Sequence, residues 1–152
     1  MTNQRNKVTG QASVADKLLV GGNTAEGMIR HVVLFKFKAG ISAAVKQQVA
    51  QRFMIMRNDA KRDGHAYIIS VEYGDQMSQE AFGLGFEQGY IVTFRSEDDR
   101  NYYVGEPLIN DPAHYDPVHH AFKAFVEPLL DERMGCLVFD FRPTDPECLP
   151  DE

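Results

Sequence analysis

Cysteine is scarce in this chain of 152 residues: Cys136 and Cys148 are the only two, and they fall far from a Cys-x-x-Cys spacing. Free thiols in a reducing, cytoplasmic compartment fit that pattern, and a chain of this length buries a core without disulfides or a structural metal. Cys136 opens an apolar run that reads as buried. Positive charge is also in deficit, with a formal net charge of -6. Gripping nucleic acid depends on Lys and Arg displacing phosphate counterions, so a nucleic-acid partner is not expected. No apolar run approaches the roughly 20 residues that span a bilayer, and the N-terminus lacks the charged-then-apolar pattern of a signal peptide. A soluble protein is expected, with small molecules or other proteins as partners and no membrane. The glycines at 83, 85 and 89 lack the strand-turn-helix setting of a phosphate loop.

Residues 1–27 mix Asn, Gln, Thr, Gly and Ala around one apolar patch, Leu18 to Val20, and read as a flexible extension whose patch is a candidate to dock on the domain. The domain proper is expected over 28–143, followed by an acidic tail at 144–152. Its first element is a strand, Ile29 to Lys38, where the period of two separates His31, Val33, Phe35 and Phe37 from Val32, Leu34, Lys36 and Lys38. Both faces carry apolar residues, so both need cover. Ser42 then caps a helix from Ala43 to about Lys61 with Val45, Val49, Phe53 and Met56 in one stripe. A second strand is expected over Ala66 to Tyr73 with Tyr67, Ile69, Val71 and Tyr73 on one face. Gly74 to Gly85 follows as a loop in which Phe82 and Leu84 are candidates to pack.

The third strand, Phe86 to Arg95, puts Tyr90, Val92 and Phe94 on a shared face, and Ser96 with Glu97, Asp98 and Asp99 starts a short helix to Val104. Gly105 to Pro117 reads as a loop. A last helix is expected from Val118 to about Glu132, bent at Pro128, and then a strand from Leu137 to Phe141. The order is βαββαβ, an α+β ferredoxin-like arrangement with an antiparallel sheet and helices on one face. Val32 and Leu34 on the bare face predict a symmetric homodimer.

Three stretches, MIRHVVLFKFKAGIS, GYIVTFRSEDDRNYY and DPVHHAFKAFVEPLL through LVFDF, together resemble the stress-responsive A/B barrel (Dabb) domain family of dimeric α+β barrels. The family includes plant stress proteins without a settled reaction and a plant polyketide cyclase that closes an aromatic ring by aldol condensation without a cofactor. The resemblance implies a pocket between sheet and helices for a small hydrophobic ligand. It also implies catalytic positions at His31, Tyr103 and His119. Pocket positions carry over to Ala50, Phe53, Tyr90 and Leu130, and Val33 and Phe35 share the strand face of His31. Two departures stand out: the family's His-Pro-Ala-His segment reads Asp116-Pro117-Val118-His119, and extra residues near Gly105 to Tyr115 separate Tyr103 from His119.

A histidine on an apolar strand face is commonly a satisfied core residue. Two histidines and a tyrosine converging on one pocket read differently, because aldol closure needs a base near neutral pH and a donor for the enolate oxygen. The expected roles are His119 as base, with Tyr103 and His31 as orienting or oxyanion-stabilising donors. The alternative is a stress-related or ligand-binding homodimer without turnover. His114, His119, His120, Asp111 and Asp116 crowd together in sequence, yet with no His-x-x-x-His on a predictable helix and no nearby Cys, polar surface is the expectation and no metal or other cofactor is assigned.

Overall fold

The computed structural model describes residues 27–144. The expected N-terminal arm, its Leu18 to Val20 patch, Cys148 and nearly all of the acidic tail lie outside the described residues. Four strands, β1 (Ile29–Phe35), β2 (Ile68–Asp75), β3 (Gln88–Phe94) and β4 (Cys136–Phe141), form one antiparallel sheet in the order β2-β3-β1-β4. Helices α1 (Ala43–Asp59), α2 (Glu97–Val104) and α3 (Pro117–Val126) complete the βαββαβ order of a ferredoxin-like fold. No helix among the described residues is long and apolar enough to cross a membrane.

The caps expected from sequence are in place. Ser42 Oγ accepts from Val45 N at 3.2 Å and Ser96 Oγ from Asp99 N at 3.1 Å, each relieving one orphaned donor at a helix start. Val49, Phe53 and Met56 of α1 are buried against the sheet face that carries Val33 and Phe35 of β1 and Val92 and Phe94 of β3. Phe53 stacks flat on Tyr90, with ring centroids 3.8 Å apart.

Several expectations are corrected. In β2 a bulge between Ile68 and Ser70 shifts the parity, so Ile68 aligns with Phe94 and shares a face with Val71 and Tyr73, while Ile69 is the extra residue. The last helix stops at Val126 instead of bending, because Pro128 lacks the N–H that would continue it; Glu127–Leu129 is a 3-10 turn and Leu130 bridges to Phe37. Phe82 and Leu84 stay exposed with Met77 on the loop between β2 and β3. Cys136 is exposed as well, since β4 pairs only with β1 at the sheet edge.

On the face away from the helices, register sets Val32 beside Ile91 and Phe139, and Leu34 beside Leu137. Phe139 is 61% exposed there, with Leu137 and Phe141 also open. Single apolar side chains on a surface are ordinary, but a contiguous row across a sheet marks an interaction face.

The return into β4 depends on Gly135, whose carbonyl accepts from Lys36 N at 2.9 Å. A Cβ there would stand 2.5 Å from the Asp131 carbonyl oxygen and 2.6 Å from Leu130 Cβ. Gly135→Ala should therefore lower stability by about 1–3 kcal/mol, the usual cost of overpacking. A denaturation midpoint equal to that of the wild type would contradict this.

Candidate functional site

The site is assembled by one carboxylate. Asp116, almost fully buried, caps α3 by accepting from Val118 N at 2.8 Å, accepts from the Tyr67 hydroxyl, and donates its own N–H to the Tyr102 carbonyl at 2.9 Å. Pro117 occupies the first helical turn, where its missing N–H costs nothing. These bonds join the start of α3 to the last turns of α2 and to the strand region at Tyr67. The extra residues at 105–115 are thus looped out without separating Tyr103 from His119. The two rings stack, with centroids 3.7 Å apart and planes 13° from parallel.

His119 Nδ1 lies 2.5 Å from the Tyr103 carbonyl oxygen. An acceptor at Nδ1 places the proton there and leaves Nε2 with the lone pair. His31 repeats the pattern from the opposite wall: its Nδ1 lies 2.6 Å from Asp140 Oδ1, and Arg100 Nη1 donates to Asp140 Oδ2 at 2.5 Å. The register of β1 with β4 sets His31 directly beside Asp140. Neither Nε2 has a hydrogen-bond partner among the described residues.

Both imidazoles line a cavity of about 540 Å³ between β1, β4, α2 and α3. Val33, Phe35, Phe53 and Leu130 line it too. Three other expected residues do not. Ala50 faces a different groove with Lys46 and Gln47. Tyr90 sits behind the Phe53 ring and donates its hydroxyl to Gln88 Oε1 at 2.7 Å. Tyr103 is packed under His119, and its buried hydroxyl has no partner among the described residues. Arg100 and Asp140 were missed, although a lone carboxylate in the apolar run Leu137 to Phe141 was a signal that could have revealed Asp140. The extra loop contributes Glu106, Pro107 and Leu108 to the cavity wall.

Electrostatics distinguish the groups. Burial lowers the His119 pKa to about 3; the Tyr103 carbonyl opposes this, while Lys123 and His31 add to it. His119 is accordingly neutral at physiological pH. Burial, followed by the nearby Asp116 charge, pushes the Tyr103 phenol up and keeps it protonated. Burial would also raise Asp140, but its hydrogen bond and charge interaction with His31, reinforced by Arg100, hold it below the ordinary carboxylate value. The histidine and aspartate crowd near α3 disperses to separate duties. His114 lies 3.6 Å from Asp111 on the surface, and His120 stacks on Tyr115. Among the described residues no three such side chains gather to hold a metal ion.

The model of the Stress responsive A/B Barrel Domain, also called Dabb, matches residues 29–143. The chain belongs to this family. Among solved structures, this Dabb chain is similar to a crystallised Arabidopsis thaliana protein at 24% identity and a TM-score of 0.61, covering 77% of this chain and 96% of that one. It is similar to a hydroxynitrile lyase from Passiflora edulis at 18% identity and a TM-score of 0.61, covering 82% and 98%. A dimeric ferredoxin-like protein of unknown function from Thermobifida fusca matches at 18% identity and a TM-score of 0.55, covering 78% and 94%. These likenesses establish the fold. No curated protein matches the chain.

The lowered His119 pKa links stability to pH. Below the ordinary value of 6.5 the unfolded chain takes up a proton that folded His119 refuses until about pH 3. Stability is thus intact above that ordinary value and falls as pH drops towards about 3, by up to about 1.4 kcal/mol per pH unit. Denaturation midpoints measured from pH 7 down to pH 4.5 should fall less steeply for His119→Gln than for the wild type; parallel slopes would refute the linkage.

Proposed function

We propose that this Dabb protein binds a small apolar molecule in the histidine cavity and catalyses a cofactor-independent proton transfer on it, in a lyase or cyclase reaction. The observation that supports this is the matched pair of imidazoles, each held through Nδ1 and each offering an unpartnered Nε2 on one cavity. The two differ in what stands behind them. His31 is backed by a carboxylate, the group that stabilises an imidazolium as it forms, whereas His119 is backed by a neutral carbonyl. The proton therefore goes to His31 Nε2, with Asp140 orienting the ring and Arg100 fixing Asp140. His119, expected from the resemblance to be the base, is a weak one at a pKa of about 3, and accepts a hydrogen bond from the ligand instead. A fold shared with a hydroxynitrile lyase is in keeping with such chemistry.

A second reading, binding without turnover, draws on the buried state of His119 and Tyr103, which suits a structural network equally well. Ligand identification by mass spectrometry on natively purified protein, followed by turnover of that molecule, separates the two. His31→Ala and Asp140→Asn are expected to lower kcat by roughly 10²-fold or more, the range of general acid-base catalysis, and His119→Gln to act chiefly on KM. Full turnover by His31→Ala would remove it as the base, and a bound ligand left unchanged by the wild type would favour pure binding.

The open sheet face and the dimeric neighbours support a homodimer through Val32, Leu34, Leu137 and Phe139. Light scattering at micromolar concentration should give twice the chain mass for the wild type and a monomer for Phe139→Asp. A monomeric wild type would sink this assignment.

A further inference from the structure

The wall that α3 turns to the cavity carries a feature the proton-transfer reading leaves unused. His119, Phe122, Lys123 and Val126 all line it, and Lys123 lies one helical turn beyond His119 on the same side. A lysine on an apolar wall ordinarily extends its ammonium into water. Here the ammonium is held back, half-buried, by donating to the Val104 carbonyl at 2.8 Å. That bond satisfies one of the carbonyls left open at the end of α2 and uses one of the three ammonium donors. Lys123 forms no ion pair among the described residues.

The other charges on this cavity are accounted for differently. Arg100 is committed to Asp140, and the two cancel. Glu106 and Glu127 also line the cavity but are exposed to water, where screening weakens their reach. That leaves Lys123, half-buried and without an ion pair among the described residues, on a cavity whose lining also includes Phe35, Phe53, Phe122, Val126 and Leu130. Resting on the reading of this cavity as a small-molecule site, we propose that Lys123 anchors an anionic oxygen carried by an otherwise apolar ligand, so that the natural ligand class is an apolar monoanion such as a hydrophobic carboxylate. Charge-assisted hydrogen bonds from the two remaining ammonium donors hold that oxygen, and the aromatic wall takes the rest of the molecule. The same anion offsets the Lys123 charge that helps depress His119.

Two fluorescent probes with the same ring system test the anchor: 1-anilinonaphthalene-8-sulfonate, an anion, and N-phenyl-1-naphthylamine, which lacks the sulfonate. Both are titrated into wild type, Lys123→Gln, Lys123→Arg and Val138→Trp, the last filling the cavity from β4. Val138→Trp should abolish the binding of both. Lys123→Gln should weaken the sulfonate about tenfold while leaving the neutral probe within about twofold, and Lys123→Arg should restore the sulfonate. If Lys123 merely caps α2, both probes respond alike and the anchor is overturned. An unchanged sulfonate affinity in Lys123→Gln, with the neutral probe still blocked by Val138→Trp, overturns the anchor and leaves the cavity reading standing. Failure of both probes to bind wild type in a Val138→Trp-sensitive way overturns the cavity reading itself, and the anchor with it. Should Lys123→Gln not fold, displacement of the neutral probe from wild type decides: 4-phenylbutyrate is expected to outcompete its methyl ester by about fivefold or more, and equal potency overturns the anchor.

Discussion

The Asp116 carboxylate is the constraint on which the rest of the site depends. It is a buried charge, and such a group persists only where hydrogen bonds replace the water it has lost. Its partners come from three places: the first N–H groups of α3, the Tyr67 hydroxyl ahead of β2, and, through its own N–H, the Tyr102 carbonyl of α2. Fixing these together sets the depth and rotation of α3. Rotation in turn decides that His119 stacks on Tyr103, and Tyr103 meets His31 edge-on at 5.6 Å. One cap thereby locates two imidazoles that lie on different layers of the domain.

The cavity that results is asymmetric in polarity. Its floor is the aromatic core, where Phe53 packs edge to face against both Phe35 and Phe122. Its flanks are polar, with the His31, Asp140 and Arg100 chain on the sheet side and Lys123 on the helix side. A ligand that satisfies both regions must be mostly apolar with its polar atoms at one end, and those atoms then lie where the imidazole lone pairs can reach them.

What was legible in the sequence is what local physics decides. Alternation in Ile29–Phe35 placed His31, Val33 and Phe35 on the inner face, and Ser42 and Ser96 announced helix starts that the structure repeats. Apart from the helix end that Pro128 sets locally, the misses depend on elements distant in sequence. A bulge at Ile69 leaves the apolar alternation readable but inverts its parity, so Tyr67, Ile69, Val71 and Tyr73 looked like one face and were not. Exposure of Cys136, Phe82 and Leu84 reflects the lack of anything packed over them within the described chain, which composition does not reveal. Packing is what the resemblance does not carry. The resemblance put Ala50, Tyr90 and Tyr103 on the pocket, but Ala50 faces another groove, the Phe53 ring covers Tyr90 and the His119 ring covers Tyr103. Asp140 and Arg100 emerge only when register brings β4 beside β1.

Strand β4 has a double loyalty. Cys136, Val138 and Asp140 alternate into the cavity, while Leu137, Phe139 and Phe141 alternate onto the open face. As an edge strand it is held on one side only, and edges are where fraying begins. Fraying here would withdraw Asp140 from His31 and open the cavity at the same moment. A partner seated on the outer row would clamp the strand that carries the site, so that association and ligand occupancy would reinforce each other through a shared six-residue segment. Were that partner a second copy, as proposed, site order would depend on protein concentration as well as on sequence.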